Sequence, residues 1–402
     1  MLKIRTGDFK AGDREKKIIN QILESGCLSE GAVVRTFEEK WSKLIGTKYC
    51  TLVNSGTSAL IAGLHAVKHL FKIKNKAKVI TSPLTFIATV NAIVVSGFEP
   101  LFADVDKETF TIKPEAVENI IKKEKGVSII LPVHLMGYPA DMDAINAISK
   151  KYELCVIEDV SQAHGTYYKG KRLGSLSTLA CFSFYMAHNI QAGEMGAVVT
   201  DDRKIYNLIK RIKAYGRICD CPVCTRSENK CPHLNYGKDK KDFDPRFYHD
   251  IIGFNFKTTE FQAGIGLAQF EKVDQILEKR RLNLLYLNKG LASLGGLIQL
   301  PRYMKNVSYF AYPVVIKKPD LISRKVLRDK LEEIGIETRP LFGCIPLQQP
   351  VYNHLRKKYI GRLPNAEYIG SNGFYIGCHQ YLTKNDLDYV IDKFKIILKK
   401  II

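Results

Sequence analysis

The feature that most constrains this chain is an alternation. Through its first two-thirds, short apolar runs are separated by stretches with helical periodicity. The runs Lys78-Val79-Ile80, Pro100-Leu101-Phe102-Ala103, Ser128-Ile129-Ile130-Leu131, Leu154-Cys155-Val156-Ile157, Cys181-Phe182-Ser183-Phe184 and Ala197-Val198-Val199 read as strands. Their continuous apolar character is that of strands buried on both faces, and the helical stretches between them (around 13–25, 58–69 and 142–151) supply the cover. The pattern predicts an α/β fold with a mainly parallel sheet. Residues 258–294 carry apolar positions at three- and four-residue steps and read as one long connecting helix. The expected organisation is a large domain over 1–257, that helix, and a smaller α/β domain over 295–402 closing with a helix from Lys384. One segment departs from the alternation: 218–250 is dense in Cys, Lys, Asp and Pro with little periodicity, and so long a loop in a compact enzyme is usually functional.

Composition narrows the class. The chain has 402 residues, 46% apolar and 25% charged, which fits a globular protein and excludes wholesale disorder. No apolar run reaches the ~20 residues of a membrane span and the start lacks a hydrophobic leader, so a cytoplasmic protein without membrane partners is expected. The net charge of +20, from 61 basic and 41 acidic residues, invites a nucleic-acid reading. Its distribution opposes that reading: lysines are interrupted by acids, as in Lys122-Lys123-Glu124-Lys125, and no basic stripe is interleaved with aromatics. An anionic substrate remains compatible with the charge.

Three segments carry chemistry. Asn54-Ser55-Gly56-Thr57-Ser58 follows a strand-like run and opens a helix, which makes it either a phosphate site or a simple N-cap. Glu158-Asp159-Val160-Ser161-Gln162 stands at the C-terminal end of an apolar strand, where open α/β sheets bind ligands, although an Asp there can also cap a helix. Ser183-Phe184-Tyr185-Met186-Ala187-His188 places a histidine in a turn between strands, a setting in which structural histidines are common.

Together these segments resemble the DegT/DnrJ/EryC1/StrS sugar aminotransferase family, fold type I enzymes dependent on pyridoxal 5'-phosphate. The resemblance extends through Ser82-Pro83-Leu84-Thr85-Phe86, Val133-His134-Leu135-Met136-Gly137, Gly253-Phe254-Asn255-Phe256-Lys257, Glu337-Thr338-Arg339-Pro340 and Leu363-Pro364-Asn365-Ala366-Glu367. It implies an aspartate-aminotransferase-like large domain. It also implies that Gly56, Thr57 and Ser183 hold the cofactor phosphate, Phe86 stacks on the pyridine ring, Asp159 pairs with the ring nitrogen and Gln162 approaches the ring hydroxyl. Asn255 would reach the cofactor phosphate of a neighbouring subunit, giving a homodimer with shared active sites.

Where the aminotransferases carry the lysine that holds the cofactor covalently, this chain has His188, and no lysine lies between Lys171 and Lys204. An imidazole cannot form that linkage but can serve as a general base. The substitution resembles the sugar-nucleotide 3-dehydratases, in which the pyridoxamine 5'-phosphate form removes the C3 hydroxyl of a nucleotide-linked 4-keto sugar. The products would be deoxysugars for surface polysaccharides such as lipopolysaccharide. Two alternatives stand beside this: an aminotransferase-like enzyme acting on another keto or amino substrate, and a non-catalytic sensor of cofactor or sugar nucleotide.

Of ten cysteines, Cys219, Cys221, Cys224 and Cys231 form a C-x-C-x2-C-x6-C cluster. Four thiols so close in a reducing compartment point to a metal site. The bracketing segments resemble the iron–sulfur 3-dehydrases, which implies an iron–sulfur centre served by a flavin or iron–sulfur reductase. Zinc is the alternative.

Overall fold

The computed structural model describes residues 4–219, 221, 228, 230–232 and 244–401. After helices α1 (Asp13–Ser25) and α2 (Ala32–Ile45), the strands β1 (Tyr49–Val53), β2 (Lys78–Thr81), β3 (Glu99–Phe102), β4 (Val127–Leu131) and β5 (Cys155–Asp159) follow. A short hairpin, β6 (Tyr167–Tyr168) and β7 (Lys171–Arg172), precedes β8 (Leu179–Ser183) and β9 (Gly196–Thr200). The large sheet has seven strands in the order β1-β9-β8-β5-β4-β2-β3. Only β9 runs against the others, pairing antiparallel with both β1 and β8. The expected mainly parallel sheet is therefore present, and β8 and β9 are buried at every position.

Helices cover the sheet: α3 (Gly56–Leu70) and α4 (Ile87–Val95) are largely apolar, and α5 (Pro114–Lys123), α6 (Met142–Tyr152) and α7 (Arg203–Ile212) are amphipathic. A second sheet, β10 (Ile298–Gln299), β11 (Tyr312–Ile316), β12 (Arg339–Pro340) and β13 (Gly373–Ile376), is antiparallel in the order β10-β11-β13-β12. Helix Lys384–Ile401 closes the chain, as expected from its sequence. No helix among the described residues is long and apolar enough to cross a membrane.

The stretch 258–294 is not one helix. It is α8 (Glu260–Phe270) and α9 (Val273–Leu291), interrupted at Glu271 and Lys272. Both interrupting residues are held by α1: Glu271 accepts from Arg14 at 2.9 and 2.7 Å, and Lys272 donates to the buried Glu15 at 3.0 Å. Docking onto α1 ends α8 there and frees α9 to take its own course.

Candidate active site

The carboxyl end of the large sheet opens into a cavity of about 720 Å³. Seven of the residues singled out from sequence line it together: Gly56, Thr57, Phe86, Asp159, Gln162, Ser183 and His188. Asn255 does not. It is exposed, its backbone bridges Ala214, and its carbonyl oxygen accepts from Asn54 Nδ2 at 3.4 Å.

One wall is the N-terminus of α3. Ser55 caps it by accepting from the Ser58 amide at 3.1 Å, which leaves the amides of the first turn directed at the cavity. Glycine at 56 is required by Ser183 at the end of β8, since a Cβ on Gly56 would sit 2.4 Å from Ser183 Cβ and 2.9 Å from its Oγ. Glycine at 196 is required too, because a Cβ there would meet the Ser55 carbonyl oxygen at 2.2 Å. Helix start, Ser183 hydroxyl and backbone thus converge, forming a cradle for an anion.

Asp159 ends β5 and is 4% exposed. Thr89 of α4 donates to its Oδ2 at 2.9 Å and the Ser161 amide to its Oδ1 at 3.1 Å. Thr85 lies 3.0 Å behind Thr89. A carboxylate with two donors has acceptor capacity left for a cationic or N–H group in the cavity. Gln162 is oriented through its Oε1, which accepts from the Met136 amide at 3.0 Å; Met136 adopts φ +57° to present that amide. Phe86 precedes α4 and lines the cavity as a residue 59% exposed, its ring 6.2 Å from and edge-on to Phe342.

His188 sits on a tightly built turn between β8 and β9. Its amide donates to the Tyr185 carbonyl at 2.8 Å, Asn189 Nδ2 reaches the Ser308 carbonyl at 3.0 Å, and the Ile190 amide donates to His164 Nδ1 at 3.3 Å. His188 Nδ1 lies 2.6 Å from the Ser183 carbonyl oxygen. A carbonyl only accepts, so Nδ1 carries the proton and Nε2 of the neutral ring is a free lone pair. Burial pushes the imidazole pKa down to about 4; the Ser183 bond opposes this and the nearby Arg280 guanidinium adds to it. His188 is therefore a neutral acceptor at physiological pH. No lysine is among the described residues lining the cavity.

These features fit pyridoxal phosphate: an anion cradle, an under-saturated buried carboxylate and an open aromatic face. Residues that sequence reasoning left without a role complete the cavity, notably Thr89, Tyr185, Glu194, Phe310, Arg339, Phe342 and Tyr375. Thr89 carried a signal, being a polar residue in the otherwise apolar run Ile87-Ala88-Thr89-Val90. Arg339 lay in a quoted motif without an assigned function.

The cysteine cluster is different. Cys219, Cys221 and Cys231 are partly exposed, and Cys224 lies outside the described residues, as does most of 218–250. Among the described residues no three His, Cys, Asp or Glu side chains come together as a metal site. The expected iron–sulfur or zinc set includes Cys224 and so lies partly outside the described residues.

A sheet with a single reversed strand, a cavity at its carboxyl ends and a second sheet contributing to the walls define an α/β enzyme of the fold type I architecture. The chain belongs to the DegT/DnrJ/EryC1/StrS aminotransferase family, which it matches over residues 10–395. It is 32% identical to the lipopolysaccharide biosynthesis protein RfbH of Salmonella typhimurium, over 96% of this chain and 89% of that one. It is also 32% identical to the GDP-perosamine synthase of Escherichia coli O157:H7, over 94% of each. The E. coli GDP-4-keto-6-deoxy-D-mannose-3-dehydratase, solved with hydrated PLP, superposes with a TM-score of 0.85 at 26% identity, covering 98% of this chain and 99% of that one.

Proposed function

We propose that the protein is a pyridoxal/pyridoxamine phosphate-dependent 3-dehydratase of a nucleotide-linked 4-keto-6-deoxysugar. The observation that carries this is the pairing of a neutral His188, Nε2 free, with a cavity whose described lining contains no lysine. Without a lysine the covalent resting state of an aminotransferase has no partner, whereas a positioned imidazole retains proton transfer.

When bound, the pyridoxamine cofactor supplies the amine that joins C4 of the sugar and a ring that accepts electron density. Gly56, Thr57 and Ser183 hold its phosphate through amides and a hydroxyl. Asp159 keeps the ring nitrogen protonated, Thr89 fixes that carboxylate, and Gln162 approaches the ring hydroxyl. Phe86 covers the ring. His188 Nε2 would be the base that receives a proton at the cofactor carbon next to the ring, and the ring would supply the conjugation through which that C–H pair becomes a new double bond as the C3 hydroxyl leaves with its own C–O pair. Arg339 lines the cavity, paired with Glu337 at 2.9 Å, and its guanidinium is assigned to an anionic nucleotide. Asn255, exposed and off this cavity, is assigned to the site of a second copy in a homodimer.

Replacing His188 by Asn is expected to abolish C3 deoxygenation while cofactor affinity stays within about threefold, the ring's contribution being to proton transfer. Unchanged turnover would remove His188 from the chemistry. The aminotransferase reading draws on the perosamine synthases at 32% identity. It separates cleanly: borohydride treatment of the loaded protein leaves no lysine adduct in a dehydratase and a stable one in a transaminase.

A further inference from the structure

The largest charged group in the interior is one the mechanism has not used. Arg280, on the inner face of α9, is fully buried. Its described partners are all neutral oxygens: Nε donates to Gln380 Oε1 at 3.1 Å, one terminal nitrogen to the Phe310 carbonyl at 2.7 Å, the other to the His188 carbonyl at 3.4 Å. Burying a guanidinium against neutral acceptors is costly unless its fork is fully engaged, so its geometry is tightly set. One turn along, Asn283 Nδ2 binds the carbonyl oxygens of Cys378 and His379 at 3.3 and 2.8 Å, anchoring the same loop without reaching His188.

Resting on the reading of His188 as the base, we propose that Arg280 is its positioning residue: the guanidinium clamps the backbone of His188 and of Phe310, whose ring packs edge-on against the imidazole 5.5 Å away. The clamp acts on the backbone of the turn and the Ser183 bond on the imidazole itself. Between them the backbone of His188 is held from α9 while its Nδ1 is held from β8, which leaves Nε2 a single direction. Phe310 also lines the cavity, so the same clamp sets the wall that the imidazole leans on. The charged and titratable groups facing His188 are Arg280 from α9, His164 from the loop after β5, with ring centroids 6.0 Å apart, and Tyr185 on the same turn at 6.1 Å; Asp159 and Glu194 share the cavity.

Arg280→Met removes the fork and charge, Arg280→Lys keeps the charge but offers one nitrogen for two carbonyls, and Asn283→Ala loosens the neighbouring loop only. Two readouts are taken: steady-state kinetics, and the imidazole titration of His188 by NMR on the cofactor-free protein, its signal assigned by its loss in His188→Asn. The expected result for Arg280→Met is a kcat lower on the order of 10-fold to 100-fold with KM within about threefold. Its His188 titration moves to higher pH as the positive neighbour is lost, and Asn283→Ala leaves both readouts near wild type. Arg280→Lys is expected to lose kcat comparably without the titration shift, and it decides the matter if Arg280→Met does not fold. The assignment is overturned if the Arg280 variants keep kcat within about threefold, or if Asn283→Ala reproduces their effects, which is general loosening. Activity surviving in His188→Asn would sink the dehydratase reading and the positioning role with it, whereas an inactive His188→Asn beside Arg280 variants of near wild-type kcat would sink the positioning role alone.

Discussion

The anion cradle is best tested at Gly56, where adding one carbon has a calculable consequence. Gly56 opens α3 without a positive φ, so alanine there meets no backbone strain and, by helix propensity alone, gains up to about 1 kcal/mol. The added Cβ would lie 2.4 Å from Ser183 Cβ and 3.2 Å from Ser183 Cα. Carbon contacts settle at about 3.5 to 4.0 Å, so helix and strand must separate by roughly 1 Å. Such overpacking costs about 1 to 3 kcal/mol, which cancels or exceeds the propensity gain. The separation also carries the Ser183 hydroxyl away from the α3 amides. Losing one charge-assisted hydrogen bond to phosphate, about 1.5 to 3 kcal/mol, weakens cofactor binding roughly 10-fold to 100-fold. The assay is absorbance titration of the purified protein with pyridoxal phosphate and pyridoxamine phosphate, beside thermal unfolding without cofactor. Ser183→Gly removes the colliding carbon, so the double variant G56A/S183G should recover stability relative to the sum of the singles, with a coupling of about 1 kcal/mol or more, but not affinity. Wild-type affinity in G56A, or additive effects of the two substitutions on stability, would refute the cradle.

Two further outcomes follow from the same geometry. His188 and His379 are both held near a pKa of about 4 by burial, and His164 is lowered well below its ordinary value for the same reason. Folded-state values below the unfolded value of about 6.5 mean that these groups favour folding fully above pH 6.5 and lose that contribution as pH falls toward 4. Stability measured by denaturation should therefore decline across that window, and His188→Asn should flatten it by no more than about 3 kcal/mol, water in the open cavity reducing the figure; an unchanged slope would contradict the burial argument. For the cysteine loop, anaerobic purification with iron, sulfide and zinc analysis is the measurement: the C-x-C-x2-C-x6-C cluster points to a metal, iron with acid-labile sulfide is the outcome that the resemblance to the iron–sulfur 3-dehydrases implies, stoichiometric zinc removes the redox reading and its reductase, and metal-free protein removes both.

Much of the fold was legible because it rests on local patterning. The apolar runs that read as strands coincide with β2, β3, β4, β5, β8 and β9 to within a residue or two, and the first helix lies at Asp13–Ser25. The break at Glu271 and Lys272 was not legible, since apolar periodicity continues through it and the cause is the charge pairing with Arg14 and Glu15, some 257 residues away in sequence. The cavity divides in the same way. Residues contributed by strand ends and helix starts of the large sheet stand in recognisable local contexts. Phe310, Phe342 and Tyr375 come from the second sheet and its loops, where nothing in the immediate sequence separates a cavity wall from a core aromatic. Arg280 was masked further, as a basic residue in an amphipathic helix where a solvated face is the ordinary expectation.

The adjacent carboxylates Glu158 and Asp159 show why residue type and position leave function open until hydrogen bonds are counted. The strand pleat sends them to opposite faces. Glu158 is fully buried and its oxygens accept from His134 Nε2 at 3.0 Å, the Gly174 amide at 3.0 Å, the Leu176 amide at 3.1 Å and Ser177 Oγ at 2.8 Å. His134 Nδ1 accepts from the Ala140 amide, which fixes Nε2 as the donor to Glu158. Every strong acceptor position of Glu158 is thereby used on the protein itself, and its task is to pin the loop 174–177 and the segment around His134. Asp159 has two described donors and faces the cavity. Glu158→Gln sets an amide N–H against backbone N–H donors in a dry interior, a loss of about 2 to 4 kcal/mol seen as a lower melting temperature. Asp159→Asn keeps the size and, with its oxygen turned to the Ser161 amide, sets Nδ2 against Thr89, whose hydroxyl then accepts and donates instead to Thr85, so its melting temperature should change little while its ability to hold a protonated ring nitrogen is lost. The measured pair is melting temperature and cofactor absorption spectrum for each variant. A large fall in stability for Asp159→Asn with a normal spectrum, against the reverse for Glu158→Gln, would mean that the two roles had been exchanged.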